Sequence, residues 1–181
     1  MKIISIETGN FKLDGGAMFG VVPKSLWERT NPADDQNLCS WAMRSMLVDY
    51  GERKVLIDNG IGDKQSDKFF SYYHLHGDAC LVSSLASNGY HPDDITDVFL
   101  THLHFDHCGG GVKYNLKGEL VTVFKNATYW SNELHWNLAM NPNDRERASF
   151  LQENLVPMKA SGQLDFIKND GIFLPGFDVL F

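Results

Sequence analysis

A chain of 181 residues is the size of one domain, or of part of a larger one. Its 43% hydrophobic and 22% charged residues are a globular composition, which excludes wholesale disorder and a collagen-like repeat. A net charge of −7 without a Lys/Arg block lacks the footprint of a nucleic-acid binder and suits no anionic membrane, and no run of about 18 apolar residues is present to span one.

The opening MKIISIETGNFKLDGG carries Glu7 inside any apolar stretch and does not read as a signal peptide. Lys2 to Thr8 reads as a strand, and Gly15-Gly16 turns the chain into a second short strand, AMFGVVP, closed by Pro23. Ser25 to Asn37 is polar and reads as loop. CSWAMRSMLVDY and KVLID, separated by Gly51-Glu52, are expected to pair as a hairpin. Asp67 to His76 is aromatic and has no clear period. Asp78 is expected to cap a helix through ACLVSSLASNG, stopped at Gly89. His91 to Asp94 is a short turn before the buried strand ITDVFLTH. LVTVF and ATYW follow as strands. Ser131 is expected to cap a helix through Met140, and Asp144 another through Leu155. QLDFI and GFDVLF close the chain as strands. Mixed strands and helices argue for an α/β sandwich. The three cysteines, Cys39, Cys80 and Cys108, are too few and odd in number for a disulfide framework and suit reduced thiols in the cytoplasm.

The chemistry is concentrated in THLHFDHCGGG, Thr101 to Gly111. His102, His104, Asp106 and His107 are four potential metal ligands at the end of an apolar strand. Residues two apart on an extended backbone face the same side, so His102 and His104 can share one ion. If the chain turns after Phe105, Asp106 and His107 can face a second. Imidazole and carboxylate suit Zn, Mn, Fe or Co. Cys108 reads as a small buried residue rather than a ligand. Asp58 is either a turn residue or an acceptor that orients a ligand histidine, and Thr101 either a strand residue or a hydrogen-bonding partner behind the ligands. A second cluster, His74, His76 and Asp78, lacks a positioning strand and reads first as a solvated loop. Met18, Phe19 and Phe105 are candidates for a pocket lining, with core packing the simpler role.

THLHFDHCGG resembles the HxHxDH signature of the metallo-β-lactamase superfamily, and LIDNGIG resembles that family's upstream strand-Asp-Gly element. The likeness extends over about residues 1 to 175. Within the superfamily it looks most like the branch of N-acyl-homoserine lactonases and related small-molecule hydrolases. The resemblance implies an αββα sandwich with two ions, zinc first among the candidates: His102 and His104 on one, Asp106 and His107 on the other. It implies a metal-activated water attacking a small ester, lactone or thioester, with Asp106 as ligand and proton shuttle. A sulfur dioxygenase of the same superfamily and a non-catalytic partner-binding remnant are the competing readings. His104 stands where the iron branch usually carries Glu, which favours hydrolysis.

The family completes its ligand set with a later His, a bridging Asp and a last His. The only histidine downstream of His107 is His135, in SNELHWNLAM, which does not match any of them. The apolar ending FDVLF also suggests a strand that wants a covering layer. Residues 1–181 are therefore expected to form a partial domain that holds metal weakly, is inactive alone and can associate with another copy through an exposed sheet. The expected partner is a small-molecule substrate, with no nucleic acid and no membrane.

Overall fold

The computed structural model describes all 181 residues, Met1–Phe181. The strands are β1 (Lys2–Asp14), β2 (Leu38–Asp49), β3 (Lys54–Ile57), β4 (Asp97–Phe99), β5 (Val112–Tyr114), β6 (Leu120–Thr122), β7 (Thr128–Asn132), β8 (Leu164–Ile167), β9 (Gly171–Leu174) and β10 (Phe177–Val179). The helices are α1 (Gly15–Phe19), α2 (Lys24–Trp27), α3 (Asp67–Ser71), α4 (Leu81–Ser87), α5 (Phe105–Cys108), α6 (Glu133–Met140) and α7 (Gln152–Ala160).

Six strands form one sheet in the order β1-β2-β3-β4-β7-β8, and β5-β6 and β9-β10 are separate two-stranded ribbons. The first three strands pair antiparallel, with Met46 opposite Ile57 in the expected hairpin. From β3 onward the pairing is parallel, and Ile57, Phe99 and Trp130 lie side by side. Alternation sends Ile6, Leu47, Leu56, Val98 and Tyr129 to one face, where α4, α6 and α7 cover them with Leu85, Trp136, Leu155 and Met158. The opposite face carries Phe99 and Trp130. The β9-β10 ribbon lies across it, with Phe173 5.6 Å from Phe99 and 5.2 Å from Trp130, ring centre to ring centre. No helix is long and apolar enough to cross a membrane.

Several local expectations are corrected. AMFGVVP is not a strand: Asp14 Oδ1 accepts from the amides of Gly16 and Ala17 and starts α1, which ends at Gly20 with φ 56°. The polar stretch after it contains α2, anchored by buried Trp27 stacked on Phe19. The unplaced aromatic segment holds α3, capped by Ser66. Asp78 caps nothing, because it lies in a bend and Cys80 occupies the position before α4. Asn132, not Ser131, caps α6 through the amides of Leu134 and His135. The helix expected from Asp144 is interrupted where Phe150 turns inward and is buried. Asn143, rather than Asp144, takes the amides of Arg145 and Glu146, and α7 starts only at Gln152. LVTVF contributes β6, which pairs with β5.

Candidate metal centre

β3, β4 and β7 run parallel, so their carboxyl ends lie together, the usual place for a ligand in such a sheet. Asp58 follows β3, the histidine motif follows β4, and α6 follows β7. Thr101 to His104 leave β4 without regular structure, and the turn then begins at Phe105 as α5, one residue earlier than expected. His102, His104, Asp106 and His107 are all half-buried. The rings of His102 and His107 lie 3.9 Å apart between centres, and those of His102 and His104 4.6 Å. Asp106 Oδ2 is 3.4 Å from His107 Nε2.

Behind them Asp58 is nearly enclosed. Its Oδ1 accepts from the Thr101 amide at 2.9 Å, and its Oδ2 accepts from the Thr101 hydroxyl at 2.8 Å and from His107 Nδ1 at 2.8 Å. That bond places the ring proton on Nδ1 and turns Nε2 outward, toward Asp106. Burial works against charge on His107, but Asp58 and Asp106 outweigh it and raise its pKa. His102 goes the other way: burial, reinforced by His107 and His104, lowers it to about 4, so its ring is uncharged at neutral pH. Burial also lowers His104.

The donor chemistry fits a borderline divalent cation, since uncharged imidazoles and a carboxylate face one another with the far nitrogen of His107 already held. No three His, Cys, Asp or Glu side chains are grouped around a common point. The imidazoles of His102, His104 and His107 and the Asp106 carboxylate thus lie close together, His102 nearest His107, without forming a closed donor set.

The loop is held from below by glycines. A Cβ on Gly109 would lie 2.1 Å from the Ile61 carbonyl oxygen, and one on Gly110 2.0 Å from that of Asn59. Backbone thus rests directly on backbone, an approach open only to glycine. Buried Lys64 ties the same two segments by donating to the Gly109 carbonyl. Cys108 is fully buried, and its thiol, pushed up to about 12 by burial, donates to the Leu103 carbonyl at 3.3 Å.

A cavity of about 260 Å³ opens beside Asp58, Asp106 and His107 and is lined by Phe11, Met18, Trp41 and Met43, with Arg44 among its walls. Of the three apolar candidates, Met18 reaches this cavity. Phe105 packs between Phe69 and Tyr73, and Phe19 lies on Trp27 and Trp41. The second histidine cluster is not part of the site: His76 bonds the Ser40 hydroxyl and the His74 carbonyl, and its backbone pairs with Asn10. Sequence reasoning set His135 aside as no match for a family ligand and passed over Phe150. His135 Nε2 accepts from the Leu103 amide at 3.0 Å, and Phe150 packs edge-on to both His104 and His135. The available signal for His135 was its place in the first turn of a helix that directly follows a strand.

Residues 44–165 match the sequence model of the metallo-β-lactamase superfamily. A probable metal-dependent hydrolase from Staphylococcus aureus is 31% identical, with a TM-score of 0.86 over 97% of this chain and 61% of that one. AidC, described as a dizinc quorum-quenching lactonase, is 20% identical, with a TM-score of 0.66 over 91% of this chain and 57% of that one. AiiA of B. thuringiensis is 20% identical, with a TM-score of 0.70 over 99% of this chain and 64% of that one. The last two likenesses concern the fold alone. The chain spans about three fifths of the length of these structures. No curated protein matches it.

Proposed function

The chain belongs to the metallo-β-lactamase superfamily, and from that premise we propose that it carries the metal-binding motif of a hydrolase acting on a small ester, lactone or thioester. The observation that carries the reading is the gathering of His102, His104, Asp106 and His107 at the carboxyl end of β4, with Asp58 fixing His107 from behind. The S. aureus hydrolase, 31% identical, supports the choice of a metal-dependent hydrolysis.

His102 with His104, and Asp106 with His107, would hold the metal: zinc by preference, with manganese, iron or cobalt compatible with the same donors. A divalent cation bound there supplies an acidified water and polarises the scissile carbonyl. The chain's own groups do the rest. Asp58 keeps the His107 proton on Nδ1, so that Nε2 stays a donor. Asp106 accepts the proton of the attacking water and returns it to the leaving oxygen or sulfur. Phe11, Met18, Trp41 and Met43 give the neighbouring cavity an apolar side that suits an apolar substituent of modest size, and Arg44, Asp58 and Asp106 give it a polar one.

The test is zinc reconstitution followed by lactone ring opening, read as proton release, alongside oxygen uptake with a persulfide. In a form that carries the remaining ligands, hydrolysis that disappears with a chelator and falls by at least about 100-fold in Asp106→Asn is expected, whereas residues 1–181 alone are expected to be inactive. Oxygen uptake without hydrolysis would replace this reading with the sulfur dioxygenase, and chelator-resistant hydrolysis would end it.

A further inference from the structure

Leu103 stands between two histidines of the motif, and its backbone is held on both sides by side chains that are not in the donor set. Its amide donates to His135 Nε2 at 3.0 Å, and its carbonyl accepts from the Cys108 thiol at 3.3 Å. The Leu103 side chain is fully buried in the main core. Its backbone is thus fixed by two contacts and its side chain by packing, while His102 and His104 project from either side of it.

His135 reaches this point because Asn132 caps α6 at the end of β7, beside β4. The ring is kept in place by Phe150, 5.7 Å away between centres and also in edge contact with His104. With Nε2 accepting from an amide, the ring proton belongs on Nδ1, and the lone pair that could reach a cation is already engaged. The ring centre stands 6.4 Å from that of His102, farther than those of His104 or His107.

We propose that His135 is a positioning residue: a neutral imidazole on α6 that accepts the Leu103 amide hydrogen and thereby sets the separation of His102 and His104. This rests on the reading of those two histidines as metal ligands. A backbone amide in a connecting segment has no strand partner to fix it, and an unpaired one would turn to find solvent. A small rotation of the 102–103 or 103–104 peptide moves both imidazoles, so the acceptor acts on the geometry of the pair without touching the cation.

The experiment compares the protein with His135→Leu, which removes the acceptor, and His135→Gln, whose amide oxygen can take the place of Nε2. Zinc affinity is read by competition with a chromophoric chelator, and exchange of the Leu103 amide hydrogen by NMR in the metal-free protein. Zinc affinity is expected to fall by about tenfold or more in His135→Leu and to return to within about threefold in His135→Gln, the range seen when groups that orient ligands are removed. Leu103 exchange is expected to rise in His135→Leu and slow again in His135→Gln. Unchanged zinc affinity in His135→Leu, or a Gln variant as weak as Leu, overturns the proposal. If the parent protein itself takes up no zinc, the metal reading fails, and the exchange data decide alone: equal Leu103 exchange in all three proteins overturns the positioning role, and the Leu-fast, Gln-slow pattern sustains the hydrogen bond.

Discussion

Asp58 has a φ of 57°, a left-handed conformation that Asn tolerates as readily as Asp. Asp58→Asn should therefore leave the turn intact while replacing one acceptor with a donor. The amide nitrogen would then face the His107 Nδ1–H, and the ring would relieve the clash by shifting its proton to Nε2, where no cation can bind. Zinc affinity is expected to drop by about 10- to 100-fold with little change in melting temperature; an affinity equal to that of the parent would show that Asp58 does not govern His107. The thiols permit a second check. Cys39 and Cys108 are buried and shifted upward, Cys108 to about 12, whereas Cys80 is exposed and lowered by the Ser83 hydroxyl. A disulfide reagent at neutral pH should find one fast thiol per folded chain, absent in Cys80→Ser. Two or more fast thiols would contradict the packing around the motif.

The segment Asn59–Gly62 and the turn Gly109–Gly111 are in contact through main-chain atoms. Gly110→Ala would push a methyl group into the Asn59 carbonyl, with no flexible side chain there to yield. A loss of about 3 kcal/mol in urea denaturation is expected, at the upper end of ordinary overpacking, and a loss under 1 kcal/mol would mean that the loops can separate. This contact was illegible in the sequence, which displays the glycines but not what each one faces. The histidine motif itself was legible because its ligand types are local and follow a clear strand. The β2–β3 hairpin was legible for the same reason, two β-rich runs about one tight turn. Caps were read less well. Asp14, Ser66 and Asn132 each begin a helix, but Asp78, Ser131 and Asp144 offered the same chemistry nearby. Burial of Phe150 decided against the helix from Asp144, and burial is a tertiary fact.

Across the whole sheet, the change from antiparallel to parallel pairing is held by one buried carboxylate. Asp97 on β4 is 3% exposed and accepts from Arg53 in the turn before β3, from Thr96, and from Trp130 Nε1 on β7 at 2.8 Å. Burial pushes its pKa up, yet these donors outweigh burial and hold it below the usual value. With the folded pKa depressed, the stabilisation is complete above the unfolded value of about 3.9 and disappears as pH falls through the lower folded one. Arg53→Met should cost about 2 kcal/mol at pH 7, less than a fully enclosed pair because Arg53 is partly exposed. Its deficit should shrink toward pH 3, and a deficit independent of pH would assign the loss to packing alone. At this scale the motif's own count of two donors for each of two ions predicts a readily exchanged metal. Stoichiometric zinc surviving prolonged dialysis against a chelator would contradict that count. The glycine contact has a final practical meaning. Because carbonyls rather than side chains meet at Asn59–Gly110 and Ile61–Gly109, the two segments behave as a single rigid part. A chimera that imports one of them from a homologue must import the other, whereas Met18, exposed on the cavity wall, can be varied without displacing the histidines.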